Sequence, residues 1–186
     1  MIARTPLRMQ NEEIKNDSNT APSFETLLLA YERPIFGYAY RMLGGREDAE
    51  DITQETFLKL YRHRRRLDPQ KNIKAFIYAI ATNLIYDLFR RRRLRPELFI
   101  LDHPETPFET IDPQTPYSSI EAAVDIAPAL AKIPLMYRSI LLLFYKEDFS
   151  YEQIAMLLSL PLNTVKTRIR RAKSALRKHL TSYGSG

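Results

Sequence analysis

The stretch NTVKTRIRRAK, Asn163 to Lys173, puts five basic residues into eleven positions. Wound at 100° per residue, Val165, Ile169, Ala172, Leu176 and Leu180 fall within an arc of roughly 80° and must face a core. Thr167, Arg170, Arg171, Ser174 and Lys178 then point away from it, with Lys166 and Arg168 at the two edges and Lys173 in the same basic run. The outward face carries forked guanidinium groups, ammonium groups and a hydroxyl near a helix N-terminus, where the dipole adds positive potential. Such groups fit guanine edges and phosphates in a DNA major groove. A charge run alone is more often a solvated surface, so the elements around it decide.

Those elements are a capped helix and a turn. Ser150 and Gln153 form a capping box that starts a helix, and Ile154, Ala155 and Leu158 give it an apolar face. Pro161 lacks an N–H, so the chain turns near Ser159–Leu162, and Asn163 is the expected N-cap of the basic helix. Short helix, tight turn and longer basic helix make the helix-turn-helix pattern.

Two further stretches carry polar groups on helices. In GREDAEDITQETFLKLY, Gly45 to Tyr61, the residues Ala49, Ile52, Phe57 and Leu60 make an apolar face. Asp48, Asp51, Gln54, Glu55 and Lys59 lie largely on the other side. Acidic residues early in a helix also complement its dipole, so the pattern alone fits an ordinary amphipathic helix. In AFIYAIATNLIYDLFRRRR, Ala75 to Arg93, the residues Asn83 and Asp87 share a face at i,i+4, and four arginines close the helix.

The whole chain sets the frame. It has 186 residues, net charge +6 and no cysteine, which excludes disulfides, thiolate zinc sites and thiol catalysis. Residues 24–95 carry 15 basic and 9 acidic side chains, 96–127 carry 7 acidic and none basic, and 128–186 carry 10 basic and 3 acidic. Prolines 96, 104, 107, 113 and 116 fall in the acidic stretch and oppose helix and sheet there. An irregular loop packed on one body is the alternative to an extended linker. The spacing predicts an all-α chain of two small helical domains joined by an extended linker. Residues 1–23 form an N-terminal extension expected to be disordered, followed by a domain at 24–95, an acidic proline-rich linker at 96–121 and a second domain at 122–182. Helices are expected near Phe24–Leu43, Arg46–His63 and Ile73–Arg93, then Ala122–Ala131, Leu135–Tyr145, Tyr151–Leu158 and Thr164–Leu180. Pro34 should kink or interrupt the first, and Gly44-Gly45 should end it. No signal peptide or membrane span is read, and a cytoplasmic location is expected.

Together the three motifs closely resemble bacterial RNA polymerase sigma factors of the extracytoplasmic-function (ECF) class. That family shows a DAEDxxQExF helix, here Asp48 to Phe57, and an IAxNxxxDxxRR helix, here Ile80 to Arg91. It also shows a SYxEIAxxLxxPxxTVKxRxxRAxxxLR signature, here Ser150 to Arg177 with Gln153 where glutamate is common. The resemblance spans about Phe24 to Leu180. It implies a sigma region-two domain at 24–95 and a region-four domain with the helix-turn-helix at 122–182. Asp48, Asp51, Gln54 and Glu55 would dock on the clamp coiled coil of core RNA polymerase. Lys71, Asn72, Lys74, Asn83, Arg90 and Arg91 would hold the minus-ten element of promoter DNA, where a base is flipped from the stack. Lys166, Thr167, Arg168, Arg170, Arg171 and Lys173 would read the minus-thirty-five element. The family often has tryptophan where this chain has Phe76. The resemblance further implies control by an anti-sigma factor, no cofactor, no metal and no catalytic residue. With its charge, it suggests that the acidic linker occupies the polymerase's RNA channel.

Three other readings compete. A stand-alone regulator explains Ser150–Leu180 but neither the Asp48 helix nor the Asn83 helix. An enzyme finds no support in the scattered His63, His103 and His179 or in any nucleotide or metal motif. A membrane-surface binder would use the arginine runs at 64–66 and 90–93.

Overall fold

The computed structural model describes residues 22–64, 72–94 and 127–180. Among the described residues there are seven helices and no strand: α1 (Phe24–Leu43), α2 (Arg46–His63), α3 (Ile73–Leu94), α4 (Ala127–Ala131), α5 (Leu135–Tyr145), α6 (Tyr151–Leu157) and α7 (Leu162–Leu180). The extension expected at 1–23 lies outside them except for its last two residues, Pro22 and Ser23. The linker at 96–121, Lys71 and the first part of the helix expected from Ala122 also lie outside.

Local chemistry sets the first three helices. The Ser23 hydroxyl caps α1 by accepting from the Thr26 N–H at 3.2 Å. Gly44 ends α1 in the left-handed region at φ 84°, its N–H donating to the Tyr40 carbonyl at 2.8 Å. Pro34 does not interrupt α1, contrary to expectation. Its ring is exposed, and burial of the next residues, Ile35 to Tyr40, on one continuous helix outweighs the single backbone bond that proline forfeits. Phe24 meets Tyr61 at 5.0 Å between ring centroids, so the start of α1 lies beside the end of α2 and the pair is antiparallel. Asp48 meets Arg92 and His63 meets Phe76, so α2 and α3 are antiparallel as well.

The interior of this body is apolar with paired hydroxyls. Ile35, Phe36, Met42, Leu60, Ile77 and Ile85 are fully buried. Buried Tyr38 bonds Thr82 at 2.9 Å, while Thr53 and Thr56 donate to the carbonyls of Ala49 and Ile52 one turn back.

In the second body α5 buries Ile140 to Leu143, and α7 packs on α5 and α6 through Val165, Ile169 and Ala172. Leu180, expected in the core, is 37% exposed, because α7 runs past the elements it packs on. Both bodies then share one contiguous set of buried residues. Arg138 of α5 donates to the Met42 carbonyl at the end of α1, and α3 packs against α6. The sequence separated the bodies by charge; the structure seats them against each other.

Candidate nucleic-acid and polymerase interfaces

The C-terminal site is built by a capped helix and a strained turn. The Ser150 hydroxyl accepts from the Gln153 N–H at 3.2 Å, and the Gln153 side chain accepts from the Ser150 N–H at 2.8 Å. This is the expected capping box. The turn places Ser159 at φ 52°, a left-handed conformation that disfavours a side chain. Asn163 is not the N-cap of α7. The Pro161 carbonyl already accepts from Thr164 and Val165, so the helix begins at Leu162 and Asn163 sits inside its first turn. Proline's fixed φ pre-organises that start.

The wheel derived from sequence holds for the buried stripe and most of the outward face. Val165, Ile169 and Ala172 are buried, while Lys166, Arg170, Arg171 and Lys173 are exposed. Thr167 is half-buried. Arg168 is half-buried too, and its positive charge partly offsets the burial that raises the Tyr86 phenol of α3. The Lys173 ammonium lies 5.0 Å from the centre of the Tyr145 ring. The Tyr145 side chain raises the lysine above its ordinary value.

At the start of α3 the expected contacts divide. The Asn72 side chain accepts from the Ala75 N–H at 2.9 Å and is therefore the cap of α3, although it remains exposed. Lys74 is half-buried: its ammonium donates to the Glu147 carbonyl at 2.6 Å and sits 4.8 Å from the Phe149 ring. Burial is the main cause that lowers its pKa, partly offset by Glu147 and Asp148. Asn83 is exposed, as is Phe76 nearer the start of the helix. Farther along, Arg90 pairs with Asp87 at 2.9 Å, and Arg91 reaches the Asp87 carbonyl at 3.4 Å. These groups and Glu55, Lys59 and Leu84 line an open cleft of about 520 Å³ between α2 and α3.

On α2 the polar residues differ in their surroundings. Asp48 does not stand on a free acidic face: one Arg92 nitrogen, Nη2, donates to both of its carboxylate oxygens, at 2.6 and 2.7 Å. The fold brings the C-terminal end of α3 across the N-terminal end of α2, so the four-arginine run supplies the partner. Asp51 and Gln54 are exposed, and Glu55 is half-buried at the cleft.

Sequence reasoning missed the residues that join the bodies. Arg138 is 6% exposed and donates to the carbonyls of Leu130 and Ala131 at 2.9 and 2.8 Å, besides that of Met42. Burial lowers its pKa to about 10. The Tyr78 hydroxyl donates to the Glu147 carboxylate, and Tyr86 bonds Ser139 at 2.6 Å. Burial raises the Glu147 carboxyl, against the lowering effect of Tyr78, Lys74 and Arg41. A lone arginine inside the apolar run LMYRSILLLFY was the available signal. Among the described residues no group of side chains could hold a metal ion, and no helix is long and apolar enough to cross a membrane.

Comparisons with known proteins agree with the motif reading. A family model for Sigma-70 region 2 matches residues 27–95, and one for Sigma-70, region 4 matches residues 124–176. The chain is 34% identical over 170 residues to the ECF RNA polymerase sigma factor SigE of Mycolicibacterium smegmatis, covering 91% of this chain and 66% of that protein. It is 33% identical over 154 residues to the ECF RNA polymerase sigma factor SigL of Mycobacterium tuberculosis, covering 81% of this chain and 84% of that one. The sigma factor RpoE from Bartonella quintana, solved with the anti-sigma factor NepR, superposes with a TM-score of 0.69 at 24% identity. That match covers 85% of this chain and 96% of that one, and it bears on the fold.

Proposed function

The chain belongs to the ECF RNA polymerase sigma factors, and on that premise we propose that it seats on core RNA polymerase and directs promoter recognition, melting and initiation. The observation that carries this reading is α7: an apolar stripe buried on α5 and α6, with Lys166, Arg170 and Arg171 presented outward. These side chains, with Thr167, read the minus-thirty-five element as duplex, the forked arginines on base edges and the lysines on phosphates. Asn83 and the start of α3, with Asn72 and Lys74, hold the minus-ten strand once it opens, and Phe76 offers a ring for a base to stack on. Asp51, Gln54 and Glu55 dock on the polymerase; Asp48 supports them by fixing α2 to α3.

The protein acts by binding rather than catalysis, in the cytoplasm where transcription occurs. An anti-sigma factor holds it in reserve, as NepR accompanies the RpoE structure. The acidic stretch at 96–121 joins the two reading domains and makes each weak contact raise the effective concentration of the other. It occupies the RNA channel; replacing the seven acids of 96–127 with serine should then impair initiation, and unchanged initiation would reject that role.

The test is reconstitution. The chain added to core polymerase should form a stable complex and give transcripts whose start sites share upstream sequence at two fixed distances. A chain that binds duplex DNA but not core polymerase would be a stand-alone regulator instead.

A further inference from the structure

We infer that Asn163 is a further base-reading residue of α7, its side-chain amide matched to an adenine in the upstream duplex. The inference rests on the duplex-reading role proposed above for α7 and adds one residue and one base to it.

Asn163 has no structural task in the fold. The helix starts without its help, because the Pro161 carbonyl accepts from the Thr164 and Val165 N–H groups at 2.9 and 3.1 Å. Asparagine favours a helix where its side chain caps one and weakens a helix elsewhere. Here it lies inside the first turn and is exposed. Its amide has no hydrogen-bond partner among the described residues. Ser150 and Asn72 behave otherwise: each accepts from a backbone N–H three residues on, that of Gln153 or Ala75.

The buried stripe sets the direction of the amide. At 100° per residue, Asn163, Arg170 and Ser174 fall within an arc of roughly 40°. That arc lies opposite buried Val165, Ile169 and Ala172. A duplex that meets Arg170 therefore meets Asn163 as well. A recognition helix presents its N-terminal residues to base edges, and Asn163 lies nearer that end than any cation of the face. The stretch from Asn163 to Arg170 spans ~10 Å of helix at a rise of about 1.5 Å per residue. At about 3.4 Å per base pair, the two side chains address base pairs roughly three apart.

The chemistry selects the base. The lysines and arginines of the face only donate, which suits the two acceptors of guanine. An asparagine amide donates on one side and accepts on the other. The major-groove edge of adenine offers an N7 acceptor beside an N6 donor, so one adenine satisfies both. Guanine would set O6 against the amide carbonyl, thymine offers an acceptor and a methyl group, and cytosine offers a donor alone.

The test selects bound duplexes from a library randomised across the upstream element, using the full chain on core polymerase. The parent should prefer adenine at one position, about three base pairs from a position that Arg170→Ala relaxes. Asn163→Ala should lower that adenine preference by roughly five- to hundredfold and leave the other positions as they are. Its melting temperature should hold, because no cap is lost; a clear fall would make Asn163 a structural residue and overturn the inference. Asn163→Asp, which only accepts, should move the preference toward the N4 donor of cytosine. Replacing the adenine with 7-deazaadenine removes N7 from the DNA instead. It should weaken binding by the parent and leave Asn163→Ala unaffected. An unchanged adenine preference in Asn163→Ala, or an equal loss on every sequence, would overturn the inference while an intact Arg170 position kept the proposed function standing. A parent chain with no upstream base preference would overturn the proposed function, and this inference with it.

Discussion

In the C-terminal body the side chains that would touch DNA stand clear of the fold, whereas in the N-terminal body most of their counterparts are already engaged. Lys166, Arg170 and Arg171 project from α7, whose buried stripe is made by other residues altogether. Around α3, Asn72 caps the helix, Lys74 reaches Glu147, Arg90 pairs with Asp87, and Arg92 holds Asp48. The difference matches the tasks proposed for the two bodies. Duplex reading needs a rigid, pre-oriented face that meets an unchanged partner. Strand capture follows melting, so its groups can be held in intramolecular contacts until DNA competes for them.

Variants can break or sharpen that contrast. The largest effect is expected from Arg138→Ala, which strips donors from the Leu130, Ala131 and Met42 carbonyls and should cost ~3 kcal/mol or more. Urea unfolding should show the loss mainly in the C-terminal body; an unchanged midpoint would mean that water replaces the guanidinium. Next, Arg171→Ala should cost ~1–3 kcal/mol at a single upstream promoter position. An equal loss on every sequence would reduce Arg171 to a phosphate contact.

Asp48→Asn and Asp51→Asn separate structure from docking on one helix. The first should lower stability by ~1 kcal/mol, because the Arg92 pair is still partly exposed. The second should leave stability within ~0.5 kcal/mol and weaken polymerase binding instead. If Asp48→Asn weakened polymerase binding at unchanged stability, Asp48 would regain the docking role its motif implies.

The smallest effect concerns pH. Burial in the folded chain raises the Glu147 carboxyl above its ordinary value, so the folded form binds a proton more tightly than the unfolded one. That contribution is fully present below the ordinary glutamate range, around pH 4, and fades as pH rises through the raised value. The urea midpoint should therefore fall slightly over that rise, and Glu147→Gln should flatten the response.

Helix boundaries were largely legible because caps and glycines are local signals. Phe24–Leu43, Arg46–His63 and Leu135–Tyr145 fall where the pattern places them. The buried stripe of α7 was legible for the same reason: a surface helix against a core obeys a simple period. Leu180 breaks that stripe because the period says where a residue points but not where the supporting helices end. Asn163 was misplaced because a preceding proline can also start a helix. The unreadable part is long-range. The partners of Asp48, Lys74 and Arg138 include residues 44, 73 and 96 positions away, and only the packing of α1, α2, α3 and α5 brings them together.

The central claim is that two helices of one chain read two separate promoter elements. Start-site sequencing on a promoter library randomised at both elements, using core polymerase with the parent chain, Arg171→Ala or Asn83→Ala, tests it most directly. Arg171→Ala should relax one upstream position and leave the downstream element intact, and Asn83→Ala should do the reverse. Both variants altering the same element, or neither altering any base preference, would contradict the account.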